Sequence, residues 1–541
     1  MFRRPTIVLT AALLLLGCTT SLSAQQHALD SITADELRMH LSFIAADELM
    51  GRDTPSPGLK IAARYLATRV ESYGLTPLMP DGSFYQIIPL ERTRPSTASS
   101  ITAGGRTFHF PSDFGVSGAT EAHFEGELVL AGYGASDEEA GWDDYSGLDC
   151  EGRIVVILEG ELPAGHALRL EDNRRLRMMR TYTPAGAGAV AVLNVISPSR
   201  EREMAAGAGF EVSTGRASWP AGASSPPRGG SSGERRGGMQ RGGRAPVLEL
   251  RHDSAAALLG ISRADLDAMF ARLARGERVE GRAMTGRQVT IDLTTESESE
   301  HTQNVVAMVP GSDPVLKDEY VVIGAHYDHV GIRHGAYPDS ICNGADDDGS
   351  GTVSMLEIAQ AMMIERPKRS VIFVWHTGEE KGLRGAWWFV NNCPVPLENI
   401  NAMLQMDMIS RNDPDSICLI GSHFVSSELD AVHRRVCERL DLIAIDDKYN
   451  DPDLPTNNYH RQSDHYAYHS YSIPATFFFS DITPELHTPA DEVPLCDFDK
   501  AERVTKFLYA SALELGNMPD MVALDRDPEI TRRGQRIDTG R

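Results

Sequence analysis

Gly324-Ala325-His326-Tyr327-Asp328-His329, Asn343-Gly344-Ala345-Asp346-Asp347-Asp348-Gly349-Ser350-Gly351 and His376-Thr377-Gly378-Glu379-Glu380 are three phrases of one stretch, 320–380. Each sets metal-ligand side chains beside glycines. The first follows Tyr320-Val321-Val322-Ile323 and the third follows Ser370-Val371-Ile372-Phe373-Val374-Trp375. Short, continuous apolar runs rich in β-branched and aromatic residues predict buried strands. In open α/β sheets, ligands bind outside the carboxyl ends of strands, where loops converge. The stretch therefore reads as a metal site on the rim of a mostly parallel sheet.

Outward from this stretch, strands and helices alternate. Strands are expected at 305–309, 320–325, 371–375, 402–406 and 475–479, and helices at 352–364, 383–391, 428–440 and 498–515. This order predicts an α/β fold, a mostly parallel central sheet flanked by helices. Upstream, 30–75 reads as two amphipathic helices joined by a loop at Gly51-Arg52-Asp53-Thr54-Pro55, a scaffold by its own pattern. From about 115 the texture changes to short strands, at 127–131, 154–158, 190–193 and 246–250, separated by Gly, Asp and Pro turns. A helix over 262–276 follows, with Ser262 as its N-cap candidate, and 289–293 alternates back to a sheet. A smaller β-rich domain is thus expected as an insertion. The expected organisation is a leader over 1–24, a first segment of the main domain over 28–115, the insertion over 116–287, the rest of the main domain over 288–517, and a loose polar tail over 518–541.

Within the insertion, 213–244 is rich in Gly, Ser, Arg and Pro and reads as a disordered surface loop. Its Arg-Gly-Gly repeats resemble RNA-binding segments but lack interleaved aromatics. The 541-residue chain carries a formal net charge of -24, and phosphate binding needs a basic face. Nucleic acid is excluded as a partner. Arg3 and Arg4 precede an apolar run over 7–16, too short to span a bilayer and typical of an export signal. Two processing sites compete. Leu15-Leu16-Gly17-Cys18 resembles a bacterial lipoprotein signal that would place a lipid anchor on Cys18, and Leu22-Ser23-Ala24 would suit an ordinary signal peptidase. On either reading the mature chain leaves a bacterial cytoplasm, as a periplasmic, membrane-anchored or secreted protein. No other apolar run reaches the roughly 20 residues of a membrane helix. The seven cysteines show no zinc-ribbon spacing and specify no pairing.

A two-metal hydrolase needs neutral histidines and ionised carboxylates around one cavity, one carboxylate shared by both ions, and another free to take a proton. His326 follows a strand directly and is the first ligand candidate. Asp328, two residues on, can bond the ring's other nitrogen and fix its tautomer. Among Asp346, Asp347 and Asp348, one is the natural shared carboxylate, because three adjacent like charges need a cation to offset them. Glu379 and Glu380 can divide roles, one on metal and one as general base. Asp407 sits in the apolar run Met403-Leu404-Gln405-Met406-Asp407-Met408-Ile409 and needs a partner there. His487, in Leu486-His487-Thr488-Pro489-Ala490-Asp491, follows the strand over 475–479.

At these residues the chain resembles the co-catalytic zinc aminopeptidase family that includes bacterial leucyl aminopeptidases and glutamate carboxypeptidase. His326-x-Asp328, Asp346-Asp347-Asp348, Glu379-Glu380, Met406-Asp407-Met408, Ser463-Asp464-His465 and His487-Thr488-Pro489-x-Asp491 carry the resemblance. It implies two Zn²⁺ per chain and peptide substrates. Asp347 would bridge the ions, His326 and Asp407 would complete one site, and Glu380 and His487 the other. Glu379 would be the general base, with Asp328 behind His326; Asp346 and Asp348 stay open as the bridge if the register shifts. The resemblance implies hydrolysis of the peptide bond by water activated between the ions, at N-terminal residues. Alternatives within the fold are a carboxypeptidase, a glutaminyl cyclase with one zinc, and a binding protein without catalysis. Ser463-Asp464-His465 is implied to lie near the substrate without binding metal, and Tyr459 or His460 would polarise the scissile carbonyl. Ala131-Gly132-Tyr133-Gly134 with Asp143-Asp144-Tyr145-Ser146-Gly147-Leu148 makes the insertion resemble a protease-associated domain. The oligomeric state is not legible.

Overall fold

The computed structural model describes residues 24–116, 118–168, 173–204, 209–210, 216–224, 245–333, 339–445, 448–449 and 459–525. The leader, most of the loop read over 213–244 and the end of the tail lie outside them. The chain forms two compact units. One takes the described residues of Met1–Leu90, Trp219–Gly230 and Glu300–Arg541, and the other those of Glu91–Ser218 and Ser231–Ser299.

The first unit contains α1 (Ala34–Ile44), α2 (Pro57–Tyr73), β1 (Thr295–Val309, from residue 300 on), β2 (Tyr320–His326), α3 (Gly351–Ile364) and β3 (Ser370–His376). It continues with α4 (Arg384–Asn391), β4 (Ile400–Met406), β5 (Ser416–Ile420), α5 (Ser427–Arg439), β6 (Ile443–Ile445), β7 (Ala475–Phe479) and α6 (Phe498–Asn517). These strands lie in the order β1-β3-β2-β4-β7-β5-β6. The central four, β3, β2, β4 and β7, run parallel, while β1 and β5 join antiparallel. Both faces of a parallel sheet are covered, which is why its strands read as unbroken apolar runs. Successive residues divide between the faces: Val321 and Ile323 pack in one cluster with residues of α1, α2, α3 and α6, and Val322 packs in another with residues of α4. The expected elements all occur, some extended by a few residues; β5 and β6 were not anticipated.

Parallel register puts the rim where the three phrases lie. His326 pairs with His376 at the ends of β2 and β3, and Asp407 directly follows β4. Helix α6 ends later than expected, and the following stretch is not loose. Val522 is buried, and its N–H donates to Asn401.

In the second unit, Ala122–Leu130, Ile154–Leu158, Ala191–Val195 and Val247–Leu250 pair in parallel in that order. Antiparallel partners flank them: Ser100–Ala103 and Arg106–His109 beyond Arg282–Leu293 on one edge, and Phe114–Val116 on the other. This unit takes in residues from Glu91, upstream of the expected start at 116, because Ser100–Ala103 pairs into its sheet. It also carries helices at Asn173–Gly186, His252–Leu259 and Arg263–Ala274, the last capped by Ser262 and Asp265 in a reciprocal box. The described cysteines are free thiols.

Candidate metal centre

Asp346, Asp347 and Asp348 lie between the N-cap-like Gly344 and α3, and the structure separates their roles. Asp346 accepts the backbone N–H and hydroxyl of Ser410, at 2.9 and 2.7 Å. Asp348 accepts N–H bonds from His326, Gly351 and Met408 at 3.0–3.3 Å. Both are braces, buried away from solvent. Asp347 alone turns toward His326, His329 and His487. Asp491 holds this turn, because its carboxylate accepts the N–H groups of Asp346 and Asp347 at 3.0–3.2 Å. Gly344, at φ 58, leaves space that a Cβ would take from the His329 ring and the Asp347 carbonyl.

The five residues expected as ligands come together. His326 Nε2 is 3.2 Å from Asp347 Oδ1 and 3.5 Å from Asp407 Oδ1. His487 Nε2 is 3.0 Å from both Asp347 Oδ2 and Glu380 Oε1. Among the described residues two metal-capable groups occur, His326/Asp347/Asp407 and His329/Asp347/Glu380. Asp347 thus offers one oxygen to each side. Donors 2.0–2.2 Å from a tetrahedral zinc lie roughly 3.3–3.6 Å apart. The imidazole–carboxylate separations are 3.0–3.5 Å: two reach such an edge, and the other four lie 0.1–0.3 Å short of it, at hydrogen-bond length.

The electrostatics point the same way. Burial works against ionisation of Asp347, yet His329, His326 and His487 hold it well below the usual carboxylate range. Burial pushes Glu379 well above its usual range; Asp407, Asp464 and Glu380 add to this, and His326 opposes it. Asp407 is pushed up to about 6, chiefly by burial. His487 is raised to about 10 by its contacts with Asp347 and Glu380. A buried centre with this excess of carboxylates is relieved by cations.

Several roles differ from the expected ones. The His326 ring is held by the Asp328 carbonyl, 3.1 Å from Nδ1, while the Asp328 carboxylate stands 3.8 Å away. That carboxylate instead accepts the Glu379 N–H at 3.1 Å. His376 faces away, toward the Tyr468 hydroxyl and Asp464. Ser463 donates to Asp407 Oδ2 at 2.7 Å, so the Ser463-Asp464-His465 motif supports a candidate ligand without joining it. Tyr459 lines the cavity, whereas buried His460 packs against His465 and His469 and is not among the lining residues.

Arg52, read as part of a plain loop, is fully buried. Its guanidinium donates to the carbonyls of Tyr327, Ile44, Asn343 and Gly344 at 2.6–2.9 Å. It ties the loop after β2 to the loop that carries Asp347. Burial lowers it to about 10, so it stays charged at neutral pH. Local pattern carried no sign of this role, and His329 offered only its place one residue after Asp328 in His326-Tyr327-Asp328-His329.

A cavity of about 350 Å³ opens on the centre. His326, Asp347, Glu379, Glu380, Asp407 and His487 form its polar side; Met408, Phe477, Phe479, Ile482 and Leu486 supply apolar surface, and Arg461 adds a cation.

Residues 304–512 match the model of peptidase family M28. The chain is 28% identical over 236 residues to leucine aminopeptidase 1 of Penicillium rubens, covering 40% of this chain and 57% of that protein. It is 27% identical over 250 residues to leucine aminopeptidase 1 of Fusarium vanettenii, covering 43% and 59%. The chain therefore spans under two thirds of the length of these curated relatives. A solved structure of a zinc aminopeptidase from Bacillus subtilis is similar at 16% identity and a TM-score of 0.48, over 92% of this chain and 99% of that one. The segment that matches the model of peptidase family M28, residues 304–512, holds His326, Asp347, Glu379, Glu380, Asp407 and His487.

Proposed function

We propose that this protein is a di-zinc aminopeptidase that removes N-terminal residues from peptides. The observation that carries this reading is the pair of donor groups sharing Asp347 beside a cavity that Glu379 also lines. His326, Asp347 and Asp407 would hold one zinc, and Asp347, Glu380 and His487 the other. The ions would supply Lewis acidity and lower the pKa of a water. Glu379 belongs to neither donor group, so its carboxylate is free to take a proton from the attacking water and return it to the leaving amine. Asp328 steadies Glu379 through its N–H, and the Asp328 carbonyl orients His326. The apolar side of the cavity receives the substrate's side chain.

The test is hydrolysis of free and N-acetylated aminoacyl chromogenic substrates and short peptides, before chelation, after it, and with zinc restored. Zinc-restored cleavage only of free-amino substrates is expected. Arg461 on the cavity favours one second reading, a carboxypeptidase, since a guanidinium suits a terminal carboxylate. Cleavage of N-acylated peptides from their carboxyl end would replace the aminopeptidase reading with that one. No turnover by the zinc-loaded protein would remove both.

Export is proposed from Arg3, Arg4 and the apolar run over 7–16. Mass spectrometry of the mature protein should find either an acylated Cys18 or an N-terminus at Gln25. An unprocessed Met1 would end the export reading.

A further inference from the structure

His329 lies beside the second donor group, and it is built in more firmly than His487. It is fully buried, while the His487 side chain is 38% exposed. Its Nδ1 stands 3.1 Å from Glu380 Oε1 and 3.5 Å from Asp347 Oδ2. Those are the two oxygens that His487 Nε2 meets at 3.0 Å. The two rings converge edge to face, centroids 5.5 Å apart and planes at 68°. The His329 Nδ1 and Glu380 Oε1 contacts are ion-pair contacts without the alignment of a hydrogen bond, and His329 Nε2 has no hydrogen-bond partner. Buried polar atoms are rarely left so, and such a group calls for an ion or another partner. The backbone supports the placement. The His329 N–H donates to the Arg52 carbonyl at 3.2 Å, and a side chain at Gly344 would strike the ring.

We propose that His329 is a ligand of the second ion, alongside His487, so that four protein donors hold that ion and three hold the first. This rests on the metal-centre reading above and extends it to a division of labour. A zinc with four protein ligands is closed and structural in character, whereas one with three keeps a position open for water or substrate. The ion on His329, Asp347, Glu380 and His487 is therefore the tightly held one. The ion on His326, Asp347 and Asp407 exchanges more readily and is the open one.

The test compares the full chain with His329→Phe, which keeps a ring but no donor, and His329→Gln. Zinc is counted after dialysis against buffered free zinc, and the two affinities are measured by chelator competition. X-ray absorption of the zinc-loaded proteins gives the mean number of imidazoles per ion. Three histidines over two ions predicts an average of about 1.5 in the wild type and about 1.0 in the variants, on zinc's histidine-ligand chemistry. The tighter affinity should fall by more than the roughly 10–100-fold that loss of a supporting partner costs. Two ions at wild-type affinity in either folded variant, with an unchanged imidazole count, would overturn the assignment of His329 while leaving the di-zinc centre standing. Fewer than two ions in the wild type would instead remove the centre itself. Circular dichroism of the metal-free proteins identifies a variant that has failed to fold, and the other variant then carries the comparison.

Discussion

Glu379→Gln is expected to keep both metals and lose roughly 10²–10⁴-fold in kcat, the range for removing a general acid–base group. The substitution is nearly isosteric. The Glu379 N–H that Asp328 accepts belongs to the backbone and survives. Glu379 sits in neither donor group, so metal content should not change. Its carboxylate lines the cavity, stays outside the donor groups and is lifted well above its usual range, which suits a group that gains and returns a proton. Parallel metal counts and steady-state kinetics on the purified variant check this. Wild-type turnover would remove Glu379 as the base, and loss of zinc would make it a ligand.

Asp347→Asn is expected to act earlier, on the metals themselves. Asp347 presents Oδ1 to His326 and Oδ2 to His329 and His487. An amide retains one neutral oxygen and turns an NH₂ toward the other side, so it cannot serve both sites. The anion that offsets three imidazoles, two of them buried, disappears as well. Zinc content should fall below two ions per chain, and activity should fall by more than the roughly 10²-fold that loss of a supporting partner costs. Stabilisation by zinc, about 4 kcal/mol when free metal is 1,000 times its Kd, should shrink with it. Metal analysis and thermal melting with and without zinc report both effects. Two normally bound ions in Asp347→Asn would show that another carboxylate is shared.

Most of the first unit was legible in the chain. A strand buried on both faces can only be written as a continuous apolar run, and Tyr320-Val321-Val322-Ile323 and Val371-Ile372-Phe373-Val374 are such runs. Polar residues directly after them lie on the rim by geometry, which is why His326, Glu379, Glu380 and Asp407 could be chosen. His487 and Asp347 were chosen through the resemblance, with Asp346 and Asp348 left open.

Local pattern determined the elements, their alternation and the residue types gathered at the strand ends. Tertiary structure decided where each side chain points. Which aspartate of three faces the centre depends on Asp491 and Ser410, which are distant in sequence and hold the turn by hydrogen bonds. The Asp328 carboxylate braces Glu379 rather than His326 for the same reason: its direction is set by a loop that arrives from another strand. Arg52 and His329 are the clearest cases. A buried guanidinium on four carbonyls, and an imidazole without a hydrogen bond, are properties of converging loops. Periodicity records which face of a strand or helix is buried, but a loop side chain takes its direction from φ and ψ values that only long-range partners impose.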